Sequence, residues 1–228
     1  MKIGIIALPK HPKLENYIQW IESIGCTAVV IPYSITKTAL HKLMDKIHGV
    51  VWTGGGIERE RYSGNQRMTF LTTLQRCFLR AQEYNDHRRY FPIWGSCLGL
   101  EMLILLGKGV PLAQFFDHVQ FHYRMSRDTI TFLPDHSRLK EFFPLKLRNE
   151  MARTPCAQQH HSLGFDTKPV PGIRFVSVDN GFINMIEYVH YPFYGVQFHP
   201  EMPFSPFSGE ITRQFGLFLL KECKKIEI

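Results

Sequence analysis

Short apolar runs alternate with amphipathic segments along the first half of the chain. Each apolar stretch of strand length is followed by a segment whose apolar residues recur at helical spacing. In residues 14–24, for example, Tyr17, Ile18, Ile21 and Ile24 fall on one helical face. The predicted strands are residues 3–8, 27–32, 50–52 and 91–94, and the predicted helices are residues 14–24, 38–47, 68–85 and 98–106.

This alternation of strand and helix predicts an α/β fold with a mainly parallel central sheet and helices on both faces. After residue 110 the apolar runs become shorter and strand-rich, which predicts antiparallel additions in the second half. Residues 213–224 predict a closing helix. No linker or repeat divides the chain. The candidate catalytic segments lie far apart in the sequence, and a domain boundary between them would divide the site. We therefore expect residues 1–228 to form a single domain.

The candidate nucleophile is Cys97, in the pentapeptide Gly-Ser-Cys-Leu-Gly of residues 95–99. The pentapeptide follows a strand-like run and opens a helix-like run, so the thiol is predicted at the tip of a sharp, strained turn flanked by glycines. A helix N-terminus favours a thiolate, because it has free N–H groups and a positive dipole end. A cysteine after an apolar strand is more commonly a small buried hydrophobe, so the motif needs a partner elsewhere.

That partner is the segment Gln-Phe-His-Pro-Glu of residues 197–201, which also follows a strand-like run. His199 can take the proton of a thiol, and the carboxylate of Glu201 can orient the imidazole. A histidine near a C-terminus is usually a surface or structural residue. Because the two motifs occur together and in this order, however, they predict acyl transfer through a thioester.

A third element is the apolar strand that runs into Gly54, Gly55 and Gly56. Such a loop can aim backbone N–H groups at an oxyanion, with the amide after the nucleophile, that of Leu98, as the second donor. A flexible turn and a phosphate-binding loop are the alternatives. The chain has neither a G-x-x-x-x-G-K-[ST] nor a G-x-G-x-x-G motif, which disfavours nucleotide binding.

These motifs resemble those of the class I glutamine-amidotransferase-like superfamily. Within it they are most similar to the gamma-glutamyl hydrolases, the folate-polyglutamate cysteine peptidases of peptidase family C26. Trp94, Glu101 and the sequence Phe-Tyr-Gly-Val-Gln-Phe-His-Pro-Glu of residues 193–201 favour the gamma-glutamyl hydrolases. The segments that carry the resemblance are residues 17–25, 49–56, 91–101 and 191–201. The resemblance implies a flavodoxin-like, three-layer fold and a reaction that needs no cofactor.

Carried over residue by residue, the resemblance implies that Cys97 is the nucleophile and His199 the general base. It implies that Glu201 orients the histidine, and that the amides of Gly55 and Leu98 form the oxyanion hole.

The family also has a histidine in its substrate pocket, within an N-H-x-x motif. His160 fits this position best, with Gln159 in place of the asparagine, and His161 is the alternative by one position. Glu101, four residues after Cys97, is expected to contact the substrate as well.

Basic residues exceed acidic ones, 27 Lys and Arg against 20 Asp and Glu, which gives a formal net charge of +7. Arg59, Arg61 and Arg67 follow the glycine loop, and Tyr62 resembles a tyrosine of the family's matching loop. Arginines can bind carboxylates bidentately, and a poly-gamma-glutamate tail has one α-carboxylate per residue. Solvated loop charges are the alternative. We expect Arg59 and Arg61 to bind a small polyanionic substrate, a folyl polyglutamate, rather than nucleic acid or a membrane, with a homodimer as the candidate assembly.

The remaining composition disfavours other classes of site. The five cysteines are widely spaced without a C-x-x-C pair, which argues against a disulfide scaffold and a zinc site. Adjacent histidines such as His160 and His161 lack the spacing of metal ligands on one helix face. The N-terminal apolar run is too short for a signal peptide and lacks a small-residue cleavage site. We therefore expect no metal and no cofactor, and a cytoplasmic location.

The sequence thus predicts a cysteine hydrolase that cleaves gamma-glutamyl amide bonds, and the resemblance makes folyl poly-gamma-glutamates its expected substrates. Two alternatives stay open. One is another gamma-glutamyl amide hydrolase or a glutaminase subunit on the same fold. The other is a non-catalytic binding protein that kept the fold, which the complete set of Cys97, His199 and Glu201 disfavours.

Overall fold

The computed structural model describes residues 1–57 and 63–225. A 3₁₀ turn, Leu112–Gln114, lies directly before the helix that begins at Phe115. Within these residues the strands are β1 (Lys2–Ile6), β2 (Thr27–Ile31), β3 (Val50–Trp52), β4 (Ile93–Ser96), β5 (Gln120–Asp128), β6 (Ala157–Gly164), β7 (Ile173–Asp179), β8 (Phe182–Tyr188) and β9 (Phe193–Val196). The helices are α1 (Leu14–Ser23), α2 (Lys37–Met44), α3 (Gly64–Asp86), α4 (Leu98–Gly107), α5 (Phe115–His118), α6 (Arg138–Phe142), α7 (Leu145–Met151) and α8 (Pro206–Cys223).

Seven strands of the described chain form one sheet in the order β2-β1-β3-β4-β9-β8-β7. The pairings from β2 through β9 are parallel, and β8 and β7 extend the sheet antiparallel. Strands β5 and β6 form a separate antiparallel pair. The predicted α/β fold, mainly parallel with antiparallel additions in the second half, is confirmed.

Helices cover both faces of the sheet, which explains why its central strands β3, β4 and β9 are buried throughout. Successive side chains of a strand point to opposite faces. Val51 and Trp94 face α1 and α8, where the Trp94 ring lies 5.8 Å from that of Trp20 and 5.6 Å from that of Phe215. Trp52 points to the other face, into the core that α3 and α4 cover.

Two helices begin earlier than the sequence pattern predicts, because their caps are polar. Ser63 and Gln66 form a capping box that starts α3 at Gly64 rather than at residue 68. Ser205 and Ser208 form another that starts α8 at Pro206 rather than at residue 213. The first turns of both helices are poor in the apolar spacing on which the prediction relied.

The second half contains more helix than its strand-rich pattern predicts, since α5, α6 and α7 interrupt the strands. Buried polar contacts fix α6: Glu187 accepts hydrogen bonds from the Ser137 hydroxyl at 2.8 Å and from the Leu139 N–H at 3.0 Å. Helices of this length cannot be read from apolar periodicity alone.

No helix among residues 1–57 and 63–225 combines the length and the apolar character of a membrane span.

Candidate active site

Cys97 lies at the carboxyl end of β4 and caps the N-terminus of α4. Its backbone is in the left-handed region, with φ of 53°, which is rare for a residue with a side chain. Its N–H donates to the carbonyl of Val196 at 2.7 Å, so the ladder between β4 and β9 extends to Cys97 itself. The thiol is therefore held at a strained position that the surrounding sheet fixes.

The glycines around Cys97 serve close packing rather than the strained turn itself. A Cβ on Gly95 would lie 2.5 Å from the backbone of Gly99, and a Cβ on Gly99 would lie 2.5 Å from the Trp52 carbonyl oxygen. They allow α4 to begin directly against β4 and β3, whereas the positive φ falls on Cys97. The close packing therefore places the N-terminus of α4 directly beside the Cys97 thiol.

His199 and Glu201 follow β9, the strand beside β4. The Nδ1 of His199 lies 2.7 Å from Oε1 of Glu201, and both side chains are buried. A carboxylate only accepts hydrogen bonds, so Nδ1 carries a proton. The other ring nitrogen, Nε2, lies 3.3 Å from the carbonyl oxygen of His160.

The surroundings of His199 favour its charged form. Burial alone would lower its pKa, but the charge of Glu201 and the hydrogen bond and charge of Cys97 raise the pKa of His199 well above its usual value. Both ring nitrogens face hydrogen-bond acceptors, which an imidazolium satisfies. In activated cysteine nucleophiles the reacting species is a thiolate beside an imidazolium, so this arrangement suits such a nucleophile.

The glycine loop approaches both of these residues closely. A Cβ on Gly54 would lie 2.7 Å from Cε1 of His199 and 3.1 Å from Cβ of Cys97. Gly55 has φ of +145°, and a Cβ there would press against Cδ1 of Leu8. Gly54 therefore fits against Cys97 and His199 only because it has no side chain, and the backbone conformation of Gly55 favours glycine.

These elements line one cleft with a volume of about 190 Å³. Of the predicted residues, the structure brings Cys97, His199, Gly55, Glu101 and His160 together in its wall. Leu98 follows Cys97 as the first residue of α4, and Glu201 lies behind the imidazole. The other lining residues are His11, Pro12, Lys13, Gly56, Tyr123, Met125, His161, Ser162, Leu163 and Met202.

The two candidate pocket histidines differ in their surroundings. The ring of His160 lies edge-on to that of His199, with centroids 6.2 Å apart. The ring of His161 is tied to the Leu163 carbonyl at 2.9 Å and to the Gln159 side chain at 3.1 Å. Burial lowers the pKa of His161 to about 4, so its imidazole is neutral at ordinary pH.

Glu101 is buried in the first turn of α4, and its Oε1 accepts a hydrogen bond from Nε2 of Gln197 at 2.9 Å. Gln197 belongs to the same motif as His199, so the second motif also fixes a side chain of the first. Glu101 is thus one of the residues that line the cleft together with Cys97.

The predicted Arg59 and Arg61, with Tyr62, lie outside the described residues. Arg67, from the same stretch, donates to the carbonyl of Ile57 at 3.2 Å and so ties the start of α3 to the loop. Among the residues that the structure describes, no group of three or more histidine, cysteine, aspartate or glutamate side chains could hold a metal ion.

The family model of peptidase C26 matches residues 9–201. This match spans most of the chain and both motifs of the cleft. The chain belongs to the peptidase C26 family. The resemblance predicted from the motifs is therefore confirmed.

Curated relatives of this family member are named gamma-glutamyl hydrolases. The gamma-glutamyl hydrolase of Bos taurus is 30% identical over 208 residues, covering 86% of this chain and 62% of that protein. The gamma-glutamyl hydrolase of Homo sapiens is 28% identical over 199 residues, covering 82% and 59%. Gamma-glutamyl hydrolase B of Dictyostelium discoideum is 25% identical over 214 residues, covering 87% and 59%. The chain spans about three fifths of the length of these relatives.

A solved structure supports the fold of this C26 chain. A protein from Thermoplasma acidophilum, described as a candidate GMP synthase subunit, superposes with a TM-score of 0.63 and 16% identity. The superposition covers 97% of this chain and 94% of that chain. It confirms the glutamine-amidotransferase-like fold.

The sequence does not predict the contacts that two residues of the C26 site make with Gly54. The Tyr17 hydroxyl accepts a hydrogen bond from the Gly54 N–H at 2.9 Å, and burial and the charge of Glu201 raise its pKa well above the usual value. Nε2 of His11 lies 3.0 Å from the Gly54 carbonyl oxygen. Tyr17 fits the apolar face of α1, and His11 stands in a loop without a motif, so neither carries a local signal of its role.

Proposed function

We propose that this chain is a cysteine hydrolase that cleaves gamma-glutamyl amide bonds through a thioester, with folyl poly-gamma-glutamates as its substrate class. The observation that carries the proposal is the 2.7 Å contact between His199 and Glu201 beside Cys97 in one cleft. Membership of the C26 family and the names of its curated relatives support the type of bond.

In the acylation step the Cys97 thiolate attacks the gamma-amide carbon, and the carbonyl oxygen becomes an oxyanion. The N–H groups of Gly55 and Leu98 donate to that oxyanion. The His199 imidazolium gives its Nε2 proton to the leaving nitrogen, the carbon–nitrogen bond breaks, and a thioester remains. Glu201 keeps Nδ1 protonated throughout, so Nε2 is the nitrogen that exchanges protons.

In the deacylation step the neutral His199 takes a proton from water, and the hydroxide attacks the thioester carbon. The same two amides hold the second oxyanion. The carbon–sulfur bond then breaks, which restores the thiolate beside the imidazolium and leaves a gamma-carboxylic acid, which ionises by giving its proton to the released amine or to solvent. Protons and electrons balance without a cofactor.

Substrate recognition is assigned to the groups around the thiol. Glu101, oriented by Gln197, can accept an N–H of the gamma-glutamyl group, and the imidazole of His160 can donate to a carboxylate. Lys13 is an exposed cation in the cleft wall. Arg59 and Arg61, predicted from the sequence, would add positive charge for a polyanionic tail.

The direct test is to incubate the protein with a ladder of folate polyglutamates and, separately, with glutamine, and to follow the products by mass. Shortened folates would support the proposal. Cleavage of glutamine alone would replace it with a glutaminase, and no cleavage of either substrate would indicate a binding protein.

We expect Gly54→Ala to reduce kcat by about 100-fold, because a misplacement of about 1 Å in a catalytic group can cost that much. The new methyl group would need the space occupied by the His199 ring and the Cys97 Cβ. Gly64→Ala is the matched control, since a Cβ there meets nothing within 4 Å. Steady-state kinetics on one gamma-glutamyl substrate tests both variants, and a fully active Gly54→Ala enzyme would contradict the geometry.

If cleft cations bind a polyanionic tail, KM for a pentaglutamate should rise with salt, because the Debye length is only about 10 Å at 0.1 M. Lys13→Gln and Arg59→Ala should each raise that KM by about 3- to 10-fold, the effect of one partly solvated charge-assisted bond. A diglutamate should respond less. Lys46→Gln, an exposed lysine outside the cleft wall, is the control. A KM that does not change with salt, together with faster cleavage of glutamine, would overturn the polyglutamate assignment.

A further inference from the structure

Both ends of Gly54 are held by side chains that stand outside the catalytic motifs. Its N–H donates to the hydroxyl of Tyr17 at 2.9 Å, and its carbonyl oxygen lies 3.0 Å from Nε2 of His11. That carbonyl belongs to the same peptide unit as the N–H of Gly55. In a trans peptide the two groups point in opposite directions, so fixing the carbonyl also fixes the direction of the Gly55 N–H.

The hydrogen bonds of His11 determine its tautomer. The backbone N–H of Lys13 lies 3.1 Å from Nδ1 of His11, and an N–H can only donate, so Nδ1 is the acceptor. The Gly54 carbonyl can only accept, so Nε2 carries the proton. The ring also packs edge-on against Tyr17, with centroids 5.8 Å apart. In this arrangement Nε2 of His11 donates to the Gly54 carbonyl, and contacts with Lys13 and Tyr17 hold the ring.

The glycines of the loop do not themselves fix that peptide. Gly54 has no space for a Cβ beside His199, and Gly55 has a φ of +145°, which L side chains rarely adopt, so both positions favour glycine. Glycine backbones adopt many conformations at similar energy. A donor on the Gly54 carbonyl selects one of them, and it polarises the peptide so that the N–H on its other side becomes a stronger donor.

We propose that His11 is a positioning residue, which holds the Gly54 carbonyl and thereby aims the Gly55 N–H at the oxyanion. This inference rests on the proposed function, in which the Gly55 N–H stabilises the tetrahedral intermediates. Because that oxyanion exists only in and near the transition state, the loss of His11 should lower kcat and leave KM nearly unchanged.

Two substitutions separate the hydrogen bond of His11 from its packing. His11→Gln keeps an N–H donor near the position of Nε2 but loses the ring. His11→Phe keeps a ring against Tyr17 but has no donor. Loss of a whole oxyanion-hole donor costs about 10²–10³ in kcat, so a misdirected one should cost about 10- to 100-fold in His11→Phe. His11→Gln should retain most of the wild-type kcat. Lys10→Gln, in the same segment, controls for surface changes.

Alkylation of Cys97 by iodoacetamide distinguishes this role from a general disturbance of the site, which would change the alkylation rate. Alkylation forms no oxyanion, so its rate should be equal in wild type and His11→Phe. The affinity for a gamma-glutamyl aldehyde, whose adduct with the thiol places an oxygen in the oxyanion hole, should fall in parallel with kcat. Equal kcat for His11→Phe and wild type would overturn the inference, as would a His11→Gln enzyme as impaired as His11→Phe.

Failure of the proposed function would look different, because the wild-type protein itself would then not turn over any gamma-glutamyl substrate. The orientation of the peptide can still be measured in that case. The amide resonance of Gly55 in nitrogen-15-labelled protein should shift in His11→Phe, where the preceding carbonyl loses its donor, and stay near the wild-type position in His11→Gln. An unshifted resonance in His11→Phe would overturn the role of His11.

Discussion

Cys97→Ala should lose all measurable turnover, with a decrease in kcat of roughly six orders of magnitude, as when the nucleophile of a catalytic triad is removed. The fold should remain, because alanine keeps the same left-handed backbone and the N–H bond to Val196. Substrate should still bind, since Glu101, His160 and the cleft wall are unchanged. Kinetics, calorimetric binding and thermal unfolding of the same preparation would measure all three.

Cys26→Ala and Cys223→Ala are the controls for this experiment. All five cysteines lie in the described part of the chain, where each is buried with a free thiol. Burial raises the pKa of the Cys223 thiol, and burial likewise raises that of Cys26. Neither caps a helix in the cleft, so both variants should turn over at close to the wild-type rate. Substantial hydrolysis by Cys97→Ala would contradict the thioester mechanism.

His199→Ala and Glu201→Gln should differ in the size of their effect. Loss of the base removes the group that exchanges protons, so His199→Ala should be nearly as inactive as Cys97→Ala. Glu201→Gln keeps a hydrogen-bond partner for Nδ1 but loses the charge, and should cost about 10⁴ in kcat, as in other triads.

The pH profile of Glu201→Gln should shift in a direction that follows from the effect of Glu201 on His199. The Glu201 charge raises the pKa of His199, so removing it should lower that pKa. Acylation needs the imidazolium, which is lost as the pH rises through its pKa. The alkaline limb of kcat/KM should therefore move to lower pH in Glu201→Gln. An unshifted limb, or a rate equal to that of wild type, would remove Glu201 from the mechanism.

The first half of the fold could be predicted because its signals are local. The apolar runs that form β1 to β4 and the helical faces between them give bounds within a few residues, except where a polar cap such as Ser63 adds a turn. The second half is harder, since its short helices depend on tertiary contacts such as those of Glu187. The catalytic candidates could be named because the Cys97 and His199 segments are continuous motifs.

The residues that support the catalytic candidates could not be predicted in the same way. Tyr17 and His11 reach Gly54 from α1 and from the loop before it, and only the packing of α1 against the sheet brings them there. The contact between Gln197 and Glu101 likewise joins two motifs that are distant in sequence. Such roles depend on distances across the fold, and residue type alone gives no indication of them.

The parallel pairing of β4 with β9 has a consequence for how this chain tolerates change. Their register aligns Ser96 with Val196, and the ends of the two strands then bring Cys97 and His199 into the same cleft. The pairing of these strands therefore sets the distance between Cys97 and His199, and the length of the chain that connects the strands does not. Insertions or deletions in the connecting loops would leave that separation intact, whereas the gain or loss of one residue inside either short strand would displace one group by about 3.3 Å. Tolerated variation in length is therefore confined to the loops, and the two strands keep the spacing of the site.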